Sequence, residues 1–109
     1  MPILGAMSPT LAPTTKPSML DIAWAAGIYE GEGWCSSPRR TDFQMAVCQK
    51  DRWLCAKMRA LFGGSVHPKH GYNAWWWRLS GPRARGFAYT IFTFLSPRRR
   101  AQIRKAVYR

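Results

Sequence analysis

The chain has 109 residues, room for one domain with a modest core. Seventeen Lys and Arg against five Asp and Glu leave a net charge of +12, which calls for a polyanionic partner: nucleic acid or an acidic membrane surface. No apolar run is long enough to span a bilayer, and the N-terminus lacks the charged-then-apolar order of a signal peptide, so the sequence reads as intracellular, cytoplasmic or nucleoid-associated (organellar in a eukaryote).

Residues 1–19 are rich in Pro, Thr, Ser and Ala and show no periodicity, which predicts a flexible arm ahead of a single domain over 20–109. Asp21 is a good N-cap, and a first helix is expected from Ile22 to Glu30, ended by Gly31 and Gly33. A short strand at Trp34–Ser36 and a turn holding Arg39 and Arg40 follow. Phe43–Gln49 alternates as a strand, with Phe43, Met45 and Val47 on one face and Gln44, Ala46 and Cys48 on the other. Asp51 caps a second helix through Leu61, and Gly63-Gly64 stops it. A hairpin then starts at Val66, turns at Lys69–Asn73 and returns through Ala74–Leu79, with Trp75, Trp77 and Leu79 opposite Trp76 and Arg78. Ser80 and Pro82 announce a third helix to Leu95, and Ser96-Pro97 a last helix over Arg98–Tyr108. The expected class is α+β, an α-ββ-α-ββ-α-α unit with an antiparallel sheet.

Cys35, Cys48 and Cys55 form no C-x-x-C pair and read as free thiols. His67 and His70 make a poor half of a zinc site, since Pro68 lies between them and no cysteine pair completes it.

The first helix raises a question of its own. Ala23, Gly27 and Gly31 recur every four residues with Ala26 beside them, a stripe almost bare of side chain. Such a stripe lets a second helix approach closely, and the natural partner is the same helix in a second copy. Trp24, Ile28 and Leu20 point away from it and are expected in the core. The pairing brings two copies of Glu30 and Glu32 together, and carboxylates so close repel unless a cation lies between them. Mg2+ favours carboxylate, water and phosphate oxygens, and a carboxylate-held metal beside a basic surface suits phosphodiester hydrolysis. The competing reading is that both glutamates are solvated at a frayed helix end.

Ala25-Ala26-Gly27-Ile28-Tyr29-Glu30-Gly31-Glu32-Gly33 resembles the name-giving motif of the LAGLIDADG homing endonucleases, with Ala25 in place of the leading Leu and Glu in place of both acids. Val47-Cys48-Gln49-Lys50-Asp51, Trp77-Arg78-Leu79-Ser80 and Phe94-Leu95-Ser96-Pro97-Arg98 are similar to further landmarks of the single-motif, homodimeric type. The resemblance covers all but the N-terminal arm. It implies a saddle-shaped sheet in the DNA major groove, and divalent-metal-dependent cleavage of a near-palindromic duplex site. Carried over, Glu32 is the catalytic metal-binding acid, with the backbone carbonyl of Gly31 as a second ligand. Gln49 and Arg98 complete the catalytic set. Glu30 is the earlier, more structural acid, beside Ala23, Ala26 and Gly27 in the dimer interface. Mg2+ is the implied cofactor, with Mn2+ as a substitute.

On that saddle the strand alternation places Gln44, Ala46, His67, Lys69, Trp76 and Arg78 toward DNA, joined by Arg39 and Arg40. Arg and Gln suit base edges, whereas Lys69 and the turn arginines suit phosphates. Arg98, Arg99 and Arg100 open a basic last helix whose start is expected near the phosphates. Three readings compete: the nuclease, a non-cleaving DNA-binding regulator or intron RNA folding factor with the same fold, and a small ribosomal-type RNA-binding protein. A membrane role for the last helix is disfavoured by its few large apolar residues.

Overall fold

The computed structural model describes residues 12–37 and 42–108. The elements run α1 (Met19–Glu32), β1 (Gly33–Ser36), β2 (Gln44–Gln49), α2 (Arg52–Phe62), β3 (Ser65–Pro68), β4 (Trp75–Ser80), α3 (Pro82–Ile91), a 3-10 turn (Phe92–Phe94) and α4 (Pro97–Val107). This is the α-ββ-α-ββ-α-α order the sequence predicts. The four strands form one antiparallel sheet in the order β1-β2-β4-β3.

The ends of α1 depart from expectation. Ser18 is the N-cap, and its hydroxyl accepts the Asp21 N–H at 3.1 Å. Asp21 Oδ2 in turn accepts the Ser18 N–H at 2.9 Å. Asp21 is thus the reciprocal partner in a capping box, one turn inside the helix. Gly31 lies within the helix, and the chain leaves it at Gly33, which is extended at φ −81° and ψ 161°. Gly33 is small for a steric reason: a Cβ there would collide with the Tyr29 ring.

The other caps follow the sequence with one exception. Asp51 accepts the Trp53 N–H at 3.0 Å, and α2 stops at Gly63 and Gly64, both at positive φ. Gly64 also lies against the Arg78 carbonyl, and this close approach lets the Trp77 indole donate to the Gly63 carbonyl at 2.9 Å. Ser80 does not cap α3. It ends β4, and Gly81, at φ 63°, occupies the cap position with no side-chain acceptor. That helix stops at Ile91 rather than at Leu95, and the chain tightens into the 3-10 turn before Leu95 becomes extended.

Helices α1, α2 and α3 cover one face of the sheet, while α4 packs beside β1. Phe43, Met45, Val47, Val66, Trp77 and Leu79 are buried beneath them with Tyr29, Phe87 and Ile91, as the strand alternation requires. Trp75 is only half-buried, at the edge of this core. Leu20 is not a core residue: it is 82% exposed, and the buried positions of α1 are Ala25, Ala26 and Tyr29. The expected flexible arm ends with the N–H groups of Thr14 and Thr15 both donating to the Ala60 carbonyl. Arg39 and Arg40 lie outside the described residues.

Candidate nucleic-acid interface

The two glutamates of the motif are separated by their partners. Ser96 donates its N–H to Glu30 Oε1 and its hydroxyl to Oε2, both at 2.8 Å. Ser96 is the N-cap of α4, so the carboxylate also sits at the positive end of that helix. These hydrogen bonds, aided by Arg99 and Arg98, hold the Glu30 pKa below its ordinary value. Glu30 therefore fastens the end of α1 to the start of α4. Its charge is compensated within its own chain, and the cation expected between paired carboxylates is not needed for it.

Arg99 belongs to the same joint. Its Nε donates to the Glu30 carbonyl at 3.1 Å, and Nη1 donates to the Gly33 carbonyl at 3.0 Å and to Gln102 Oε1 at 3.1 Å. The guanidinium lies 5.5 Å from the centroid of the Tyr29 ring. The last carbonyls of a helix lack partners within it, and Arg99 supplies them. The side chain of Arg99, a residue expected to face DNA, is turned into its own chain. Arg98 is exposed at the first turn of α4, and Arg100 is half-buried one residue beyond Arg99.

The Glu32 carboxylate has no hydrogen-bond partner among the described residues, and the residue is exposed. It lines a cleft of about 590 Å³ with Cys48, Gln49, Lys50, Lys69, Tyr72, Asn73 and Ala74. The sheet explains this grouping. Gly33 pairs with Val47, so the residue before Gly33 falls beside the one after Val47. The β3–β4 turn, with Gly71 at φ 80°, closes the other side. Glu32 and Gln49 thus line the same cleft. Arg98 does not line this cleft. Gly31 is exposed in the last turn of α1, next to Glu32. Carboxylate, carboxamide and backbone carbonyl are hard oxygen donors, which fit Mg2+ with water and phosphate completing its shell. Among the described residues no three His, Cys, Asp or Glu gather into a metal cluster.

The uncovered face of the sheet carries rows of cross-strand neighbours. Ser36, Gln44 and Ser80 form one; Trp34, Ala46, Arg78 and Ser65 the next; Cys48, Trp76 and His67 a third. Gln44, His67, Trp76 and Arg78 are half-buried on this face, and Lys69 continues it into the turn. Ala46 differs from expectation in being fully buried, since larger neighbours in its row close over it. Burial and the Arg78 charge lower the His67 pKa, which favours a neutral imidazole. In sequence Lys50 has the look of ordinary surface charge, and no role is assigned to Trp34, Tyr72 or Asn73. For Trp34 the missing signal was register: once paired with Ala46, it must share that residue's face.

On α1, Ala23, Gly27 and Gly31 are exposed together with Leu20, and among the described residues, the adjoining helix backbone and chain neighbours aside, no atom lies within 4 Å of a Cβ built at Gly27 or Gly31. Ala26 is not on this stripe; it is buried in the core of its own chain. No helix among the described residues is long and apolar enough to cross a membrane.

The fold is that of a homing endonuclease. It is similar to two crystal structures of the homing endonuclease I-CvuI, one with its target Sro1.3 in 2 mM Ca and one with the I-CreI target C1221 in 2 mM Mg, in which the DNA is not cleaved. The TM-scores are 0.69 and 0.65 at 16% identity, over 81% of this chain in both. The aligned part spans 64% of the length of the I-CvuI chains. No family model and no curated protein matches the sequence.

Proposed function

We propose that the chain is one half of a homodimeric, Mg2+-dependent endonuclease acting at a specific site in double-stranded DNA. The observation that carries this reading is the cleft that holds Glu32 and Gln49 at the edge of an uncovered, cationic sheet face. The neighbouring structures, which hold DNA on the same fold, support it. So does the net charge of +12, which favours duplex phosphates at a salt-dependent affinity.

Within this reading each group has a task. Glu32, with the Gly31 carbonyl, would hold Mg2+, which when bound supplies charge stabilisation at phosphodiester oxygens and lowers the pKa of water. Gln49 positions the attacking water through its carboxamide. Lys50 and Lys69, in the same cleft, offset the charge that develops on the phosphate. Arg98 reaches the strand from the start of α4. Gln44, His67, Lys69, Trp76 and Arg78 lie along the groove, with Arg100 directed at the backbone.

Homodimerisation is supported by α1. A helix that is apolar or bare on every side needs cover on every side. One side of α1 is buried by its own chain, while Leu20, Ala23, Gly27 and Gly31 are exposed. A second copy related by a two-fold axis would cover that stripe and bring two Glu32 residues together.

The test is to select binding sequences from a random duplex pool, then incubate the protein and Mg2+ with a plasmid carrying the selected site. Linear product that disappears with Glu32→Gln supports the reading. Tight site-specific binding without any cleavage would replace it with the non-cleaving regulator.

A further inference from the structure

Arg78 and Lys69 are each flanked by aromatic rings. The Arg78 guanidinium lies 5.8 Å from the Trp34 centroid and 4.8 Å from that of Trp76. The Lys69 ammonium lies 5.4 Å from Trp76 and 4.4 Å from Tyr72. Trp76 is shared, so the five side chains make one continuous row that ends at Lys69 and Tyr72, inside the Glu32 cleft. The backbone register produces it. Trp34, Ala46 and Arg78 are partners on β1, β2 and β4, and Ala46 is small enough for the guanidinium to pass over it to Trp34.

A ring holds a cation through its quadrupole without neutralising it. Among the described residues neither cation has a carboxylate or a hydrogen-bond partner. A guanidinium held against rings keeps its in-plane N–H donors unspent. Two such donors match the O6 and N7 acceptors that guanine shows in the major groove. The ring faces toward these cations are meanwhile occupied, which leaves less aromatic surface for stacking unpaired bases.

We infer that Arg78 reads one guanine in each half of a duplex target, and that Trp34 and Trp76 are positioning residues that hold it for that contact. The inference rests on the duplex-DNA reading above and names the base that its sheet face selects.

The experiment is selection from a randomised duplex pool with full-length wild-type protein and the variants Arg78→Lys, Trp34→Ala and Trp34→Phe, followed by salt titrations. Wild type should show one guanine-restricted position per half-site. Arg78→Lys should cut that preference by about tenfold or more while affinity for the unselected pool changes little. Trp34→Ala should weaken the same preference, and Trp34→Phe should restore it. The salt slope should stay unchanged throughout, because no phosphate contact is lost. Equal guanine preference in wild type and Arg78→Lys overturns the inference. So does tighter binding of single strands than of duplex at matched salt. A duplex bound with the expected guanine but never cut leaves the inference standing and removes the nuclease. A duplex that is cut with Arg78→Lys as selective as wild type does the reverse.

Discussion

Glu30 and Ser96, 66 residues apart in sequence, meet through two hydrogen bonds of 2.8 Å that join the end of α1 to the start of α4. The carboxylate receives both the backbone N–H and the hydroxyl of one cap residue. This joint fixes where α1 ends, and therefore where Glu32 begins.

Loss of the Glu30–Ser96 joint should show as instability. Glu30→Ala leaves the Ser96 donors and the start of α4 without their acceptor, at a cost of about 1–3 kcal/mol. Because the Glu30 pKa is lowered on folding, its contribution is present above the ordinary carboxylate value of 4.5 and fades as pH falls through the lower folded value. Urea unfolding at neutral pH should separate Glu30→Ala from wild type, and the gap should narrow well below pH 4.5.

The neighbouring acid should behave in the opposite way. Glu32→Gln removes an exposed carboxylate that has no hydrogen-bond partner among the described residues, so its unfolding midpoint should match wild type. Cleavage of a selected site should drop by about a thousandfold or more if the charge serves the transition state. Binding of that site should persist. Plasmid linearisation, denaturant melts and gel shifts on one preparation make the comparison.

Two glycines of α1 should respond differently to added side chains. Gly33→Ala drives a methyl into the Tyr29 ring, and overpacking of this kind costs about 1–3 kcal/mol. Gly27→Ala meets no atom of the described residues within 4 Å beyond its own helix backbone and chain neighbours, and should gain up to about 1 kcal/mol of helix propensity. Gly27→Leu should likewise leave the monomer folded. If the stripe packs on a second copy, that variant should sediment as a monomer and lose cleavage. A Gly27→Leu protein that dimerises like wild type moves the interface elsewhere.

His67 sets a dependence on mild acid. Burial first, then the Arg78 charge, lowers its pKa from 6.5, so the folded state favours the neutral ring. The unfolded chain takes up the proton more readily, and stability should decline as pH drops from neutrality through 6.5. His67→Gln should flatten that part of the curve. Thermal melts of both proteins between pH 7.5 and pH 5 provide the check, and identical slopes would exclude the effect.

The sequence by itself determined the element order and most of the sheet's share of the core. Caps and glycine stops act over a few residues, so Asp51, Gly63-Gly64 and Ser96-Pro97 marked real boundaries. Strand alternation is equally local, and it sorted Met45, Val47, Trp77 and Leu79 from Gln44, Trp76 and Arg78. At the start of α1 the expected cap lies one turn too far in: Ser18, not Asp21, is the N-cap, and Asp21 is its partner in the capping box. Only the tertiary structure decided what the charged groups do. Glu30 and Glu32 share a motif, yet one is consumed by Ser96 and the other stays open beside Gln49. Arg98, Arg99 and Arg100 form one run, yet Arg99 alone turns inward to the free carbonyls at the end of α1. Trp34 joins Arg78 because register lays β1 and β4 on either side of Ala46. The role of a polar side chain depends on which donors, acceptors and rings come within a few ångströms of it, and those arrive from distant parts of the chain.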